Sequence, residues 1–248
     1  MHSGKMRLDL ALVERGFVAT RTRAQAAIKA GQVCLRGQLA SKPSDMVGPA
    51  DEIEMEAAER EYVSRGALKL LHALDAFGLD PSGEICVDLG ASTGGFTQVL
   101  LERGAASVVA VDVGHGQLAR EVAEDGRLRS LEGLNARDLT RETIPEAFSF
   151  IVADLSFIGL QKALPPALVL AATSATLVAL VKPQFEAGPQ NVGKGGIVRD
   201  SALHERVCED ISAWLSDEMN WQVLGVTPSP IEGGDGNREF LIAARKHG

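Results

Sequence analysis

Four strand-length apolar runs in this chain each end on a single charged residue: Ile85–Val87 on Asp88, Val108–Val111 on Asp112, Phe150–Ala153 on Asp154, and Leu177–Val181 on Lys182. Unbroken apolar runs of this kind fit strands buried on both faces of a sheet better than the alternating strands of a half-exposed one. Helical stretches at 95–103, 116–124, 166–172 and 201–216 separate them from one another and from further strands at Leu128–Glu132, Gln222–Val226 and Phe240–Ala244. Strands interleaved with helices predict an α/β fold, with a mainly parallel sheet covered by helices on both faces. In such a sheet the strands' carboxyl ends share one crevice, so Asp154 and Lys182 are expected to face the same opening as the loop that follows Asp88.

Hydrophobic residues make up 45% of the 248, enough for a full core, and with only 4% aromatic its packing must be aliphatic. Cys34, Cys86 and Cys208 are scattered, with no CxxC, and the histidines show no ligand spacing, so neither a disulfide framework nor a metal is expected. With no signal-peptide pattern at the start, a cytoplasmic protein is expected, as a monomer. The uncharged run from Ala163 to Val181 has the length of a membrane span, but Pro165-Pro166 and Thr173-Ser174 divide it into a helix, a turn and a buried strand.

The net charge of −8 conceals an uneven distribution. Residues 1–42 carry eight Lys/Arg against Asp9 and Glu14, whereas residues 43–62 carry seven acids against Arg60. A separate domain over 1–60 is expected, with the main domain over 61–248. In the first, Leu8, Leu10, Leu12 and Val13 predict one helical face. Thr20 or Thr22 caps a second helix that stops at Gly31, and strands follow at Gln32–Arg36 and Asp51–Met55.

The turn Asp88-Leu89-Gly90-Ala91-Ser92-Thr93-Gly94-Gly95-Phe96-Thr97 joins a strand to a helix, where glycines let a ligand approach the backbone. Its GxxxGG spacing departs from the GxGxxG of dinucleotide folds. Asp88 could pair with the amino end of a methionine moiety, and Asp112 could accept hydrogen bonds from two ribose hydroxyls; Asp112 alone would suit NAD equally well, so the loop sequence decides. Gly188–Lys194 matches GxxxxGK, but Gly195 stands where a phosphate-binding loop needs Ser or Thr, so a nucleotide triphosphatase is not indicated. Lys194 is instead expected in a loop near the substrate. Lys69, Asp154, Lys182 and Glu239 are charged where the pattern otherwise calls for apolar or neutral residues. Two amines with two carboxylates suit proton removal from a hydroxyl, because a lysine serves as base where burial or a neighbouring cation favours its neutral form.

DLGASTGGFT resembles the DLGAxPGGF motif of the FtsJ-type ribose methyltransferases, with Thr93 at the usual proline. That resemblance implies a Rossmann-like class I methyltransferase domain with a mostly parallel seven-stranded sheet, and S-adenosyl-L-methionine as cofactor. It places the cofactor on Asp88, Gly90, Ser92, Thr93, Gly94, Gly95, Phe96, Asp112 and Asp154, with Asn135 or Asp138 at the adenine. It also implies a catalytic Lys69–Asp154–Lys182–Glu239 tetrad, with Lys182 as base. RLDLALVERGFVATRTRAQAAIKAGQVCLRG resembles the α+β RNA-binding domain named after small-subunit ribosomal protein S-four, which implies RNA contacts by Arg7, Arg21, Arg23, Lys29 and Arg36. With VSRGALKL, ADLSFI, LVKPQFE and GNREFLI added, nearly the whole chain is similar to the TlyA-type proteins, called haemolysins and ribosomal RNA 2′-O-methyltransferases acting on cytidine. The implied partner is ribosomal RNA, 23S and for some members 16S, with Arg65 a further RNA contact. A membrane-lytic protein and a catalytically inactive RNA-binding module are the alternatives.

Overall fold

The computed structural model describes residues 5–18, 20–55, 62–193, 195–234 and 236–247. The chain divides into two compact units, Met1–Glu61 and Tyr62–Gly248. In the second, β1 (Ile85–Leu89), β2 (Ser107–Asp112), β3 (Leu128–Glu132), β4 (Phe150–Ala153), β5 (Thr176–Val181), β6 (Trp221–Pro228) and β7 (Phe240–Lys246) form one sheet. Its order is β3-β2-β1-β4-β5-β7-β6, with β1 to β5 parallel and β7 antiparallel to both its neighbours. The chain leaves β1 toward β2 and later returns to β4 on β1's other side. This reversal opens a crevice at the strands' carboxyl ends.

Burial explains the apolar runs. Every residue of β5 is buried, as is every residue of β4. Successive side chains go to opposite faces: Val87 and Leu89 join one core with Ile211 and Trp214, whereas Cys86 joins the other with Leu70, Val99 and Leu100. The helices α1 (Ala67–Phe77) and α2 (Gly95–Glu102) cover the second face. The first is covered by α4 (Leu160–Ala163), α5 (Pro165–Leu170) and α7 (Ser201–Asp217). Each fully buried aliphatic side chain contributes about 1.5–3 kcal/mol. The uncharged run at 163–181 is thus a short helix, a turn and a strand. Among the described residues no helix is long and apolar enough to cross a membrane.

One predicted helix contracts. Instead of 116–124, only α3 (Arg120–Ala123) is helical. The backbone N–H groups of Gly114 and Gly116 are donated to Asp112 and Glu132, and Gly116 has φ +63°, so this stretch forms a loop around two carboxylates. The short α6 (Pro183–Glu186) directly follows Lys182.

The first unit pairs helices Leu8–Glu14 and Arg21–Lys29 with a sheet ordered Gln38–Leu39, Val33–Leu35, Ile53–Met55. Thr20 Oγ1 caps the second helix by accepting the Arg23 N–H at 3.3 Å. The expected Leu8, Leu10, Leu12, Val13 face is corrected: Leu8, Ala11 and Leu12 are buried, while Leu10 is 41% exposed. Residues two apart point to different sides of a helix, so spacing of three and four decides. Asp9 is buried beside them, accepting from Arg7 Nε at 3.0 Å, Arg21 Nε at 2.9 Å and Gln25 Nε2 at 2.9 Å. These donors, Arg7 foremost, hold its carboxyl well below the usual range. A lowered carboxyl stabilises the fold above its unfolded pKa and loses that contribution as pH falls. Asp9→Ala is therefore expected to lower the first unit's melting temperature at neutral pH, and calorimetry should show the deficit shrinking below about pH 4.

Candidate active site

The turn between β1 and α2 lies against the end of β4. Gly90 has φ +84°, and a Cβ there would stand 2.4 Å from the Asp154 carbonyl oxygen. At Gly95 a Cβ would meet Ser64 Oγ at 2.3 Å, so the turn is confined on that side too. Asp112 fastens the turn to β2: Oδ2 accepts the Ser92 N–H at 2.8 Å and Oδ1 the Gly114 N–H at 2.7 Å. Asp88 lies beneath the turn, fully buried, with Oδ2 accepting from Thr97 Oγ1 at 2.6 Å. Burial, opposed by the Thr97 bond, pushes its carboxyl up to about 7. Asp88 therefore supports the turn from below and stands behind the residues that line the two cavities.

The crevice encloses about 1170 Å³ and is lined by Gly90, Ser92, Asp112, Val113, Asn135, Asp154 and Phe157, among others. A smaller cavity of about 430 Å³, lined by Arg65, Lys69, Thr93, Gly95 and Phe96, shares Gly90, Ser92 and Asp154 with it. Gly94 lines neither cavity. Of the two candidates beyond β3, Asn135 lines the crevice, its Oδ1 accepting the Arg137 N–H at 3.1 Å, whereas Asp138 is exposed outside the lining.

The four charged residues form two ion pairs. Lys69 Nζ meets Glu239 Oε2 at 2.6 Å, with both residues buried. Lys182 Nζ meets Asp154 Oδ1 at 2.6 Å and donates to Ser156 Oγ at 2.9 Å. Lys69 and Asp154 both line the smaller cavity, so the pairs converge there. Removing one partner of a buried pair strands a charge, at a cost of about 3–5 kcal/mol. Such an arrangement holds two amines at fixed points beside a cavity, one of them flanked by a hydroxyl.

Phe157 was not singled out from the sequence. It is 91% exposed, has φ +65°, lines the crevice, and packs its ring on Phe185 with centroids 5.3 Å apart. A bulky residue in the left-handed region costs on the order of 1–3 kcal/mol, a strain characteristic of working loops. The available signal was an aromatic residue three positions past a charged strand end, in a chain with few aromatics.

The expected RNA-contacting cations divide. Arg7 and Arg21 grip Asp9, and Arg36 closely pairs with Asp51 while donating to the Met46 carbonyl. Arg23 and Lys29 are exposed on their helix, and Arg65 is exposed at the rim of the smaller cavity. Lys194 lies outside the described residues.

Residues 62–246 match the model of the FtsJ-like methyltransferases, and residues 6–53 that of the S4 domain. The chain is 46% identical to the 16S/23S rRNA (cytidine-2′-O)-methyltransferase TlyA of Mycobacterium tuberculosis, over 97% of this chain and 90% of that one. It is 39% identical to Hemolysin A of Brachyspira hyodysenteriae, over 95% and 98%. A solved structure from Streptococcus thermophilus, described as a hemolysin, superimposes with TM-score 0.73 and 41% identity, over 99% of this chain and 90% of that one.

The raised Asp88 carboxyl has a measurable consequence. A folded-state pKa near 7 against about 4 unfolded means that the native state holds the extra proton in between, so stability declines as pH rises across that window. Asp88→Asn, which mimics the protonated carboxyl, is expected to remove that decline, so that urea unfolding shows the variant gaining on the parent chain between the two values.

Proposed function

The chain belongs to the FtsJ-like methyltransferase family, and on that premise we propose that it transfers a methyl group from S-adenosylmethionine to a ribose 2′-hydroxyl of ribosomal RNA. The relatives named above suggest cytidine as the nucleoside, in 23S and 16S rRNA. The observation that carries the reading is the pair of lysine–carboxylate contacts beside a crevice walled by a glycine turn.

The crevice residues fit the cofactor. The absent Cβ at Gly90 lets the turn close on the Asp154 carbonyl, and Gly90 and Ser92 then wall the crevice where a ligand would lie. Asp112 uses one lone pair of Oδ2 on the turn and one of Oδ1 on the Gly114 N–H of its own following loop, which leaves others to accept from ribose hydroxyls. Val113, 64% exposed, and Leu134 supply apolar surface beside Asn135 for a flat base. When bound, S-adenosylmethionine supplies an electrophilic methyl carbon.

Lys182 Nζ is the group assigned to take the proton from the attacking 2′-hydroxyl. Asp154 and Ser156 fix the direction of that amine, and Glu239 holds Lys69 where it can donate to the ribose. The exposed face of Phe157 offers a stacking surface for a nucleobase, the usual way in which unpaired RNA bases are held. The S4 domain match, with exposed Arg23 and Lys29, supports RNA binding by the first unit.

Lys182→Ala is expected to reduce methylation of purified ribosomal subunits by about 10²–10⁴-fold, measured with labelled cofactor. Calorimetric binding of S-adenosylmethionine should remain; loss of both would point to a collapsed crevice instead. Arg23→Ala combined with Lys29→Ala should weaken RNA binding and reduce the slope of log affinity against log salt by about two, one for each phosphate contact. An unchanged slope would remove these residues from the RNA interface.

A further inference from the structure

We propose that Glu186 is a positioning residue for this reaction: it clasps the loop after β4 so that Ser156 and Phe157 are presented to Lys182 and to the target nucleoside. The inference rests on the function proposed above. The loops leaving the neighbouring parallel strands β4 and β5 are joined at successive points. Asp154 and Ser156 both reach Lys182 Nζ. Next along the chain, the Phe157 and Phe185 rings pack 5.3 Å apart. At the far end, Glu186 Oε1 accepts the backbone N–H of Leu160 at 2.8 Å. That N–H begins α4, and Gly159 before it has no side chain to cap it.

Room for the carboxylate depends on the glycine. A Cβ on Gly159 would stand 2.8 Å from Glu186 Oε2 and 3.4 Å from the Phe185 carbonyl oxygen. The contact also runs against solvation. Burial pushes the Glu186 carboxyl up to about 6, against the opposing pull of the Leu160 N–H and the Lys162 charge. A carboxylate kept in place at that cost indicates a loop that must be held. Phe157 supplies the reason: its ring is outside and its backbone left-handed, a conformation that persists only where the surroundings over-determine it. Glu186 does not touch the reacting atoms. It acts through the loop.

The test compares the parent chain with Glu186→Gln, Glu186→Ala and Gly159→Ala, using purified ribosomal subunits as methyl acceptor. Glu186→Gln keeps an acceptor oxygen for Leu160 and is expected to stay within about twofold of the parent kcat/KM. Glu186→Ala is expected to lose about tenfold in kcat/KM, through both kcat and the KM for the subunits, with the dissociation constant for S-adenosylmethionine unchanged. Gly159→Ala crowds the carboxylate from the other side, so it should reproduce that loss and add nothing to it in the double variant. Amide exchange at residues 157–160, followed without RNA or cofactor, should quicken in both alanine variants and stay slow in Glu186→Gln. The clasp is overturned if glutamine fails as alanine does, if cofactor affinity drops in step with KM, or if exchange does not respond. A parent chain that methylates nothing, with exchange in the expected order, overturns the methyltransferase reading and leaves the clasp supported.

Discussion

The turn after β1 and the loop after β4 pass so closely that a Cβ at residue 90 would lie 2.4 Å from the Asp154 carbonyl oxygen. This bare-backbone contact sets much else in the second unit. It places the backbone of Asp154, and through Asp154 the amine of Lys182. It also brings the two cavities together, because Gly90, Ser92 and Asp154 line both. On its other side the turn is stopped by Ser64 against Gly95, at the entrance to the helix that carries Lys69. Two glycines thus set the spacing between elements far apart in sequence. At residue 90 no other residue type could stand without moving the backbone of Asp154, whereas at residue 95 a side chain would first have to turn the Ser64 hydroxyl aside.

The fold was legible because buried parallel strands announce themselves. β4 and β5 are apolar at nearly every position, and the charged residue after each marks its end. The alternation of strand and helix gave the layers, whereas the four-residue α3 was over-read as a full helix. Its apolar residues are real, but Gly114 and Gly116 had already committed their N–H groups to carboxylates on two strands, which no local pattern records. The site was legible in its members and not in its pairing. That Lys69 answers Glu239, while Lys182 answers Asp154, depends on a register across 170 positions in one case. Phe157 escaped notice because its importance lies in backbone angle and exposure, and neither has a local sequence signature.

The first unit shows the limits of counting charges. Asp9 enters a tally as one subtraction from a basic segment, yet it organises that segment by holding Arg7, Arg21 and Gln25 on one carboxylate. Arg36 is similarly occupied with Asp51. The arginines keep donors to spare, because a guanidinium has five N–H groups, but their directions are already set before any phosphate arrives. A basic surface built this way is preorganised. Less side-chain freedom is lost on binding than a row of solvated lysines would lose.

The pairing of Lys69 with Glu239 also governs when the site can exist during synthesis. The lysine belongs to the first helix of its unit, and its carboxylate enters on the last strand, which lies antiparallel between β5 and β6. A growing chain that has passed Ala67–Phe77 but not yet reached Phe240 has the amine and lacks its partner. It lacks as well the strand that joins the edge strand β6 to the rest of the sheet. Until Glu239 emerges, the nascent chain therefore carries the Lys69 amine without the carboxylate that fixes it, and the site stays chemically incomplete.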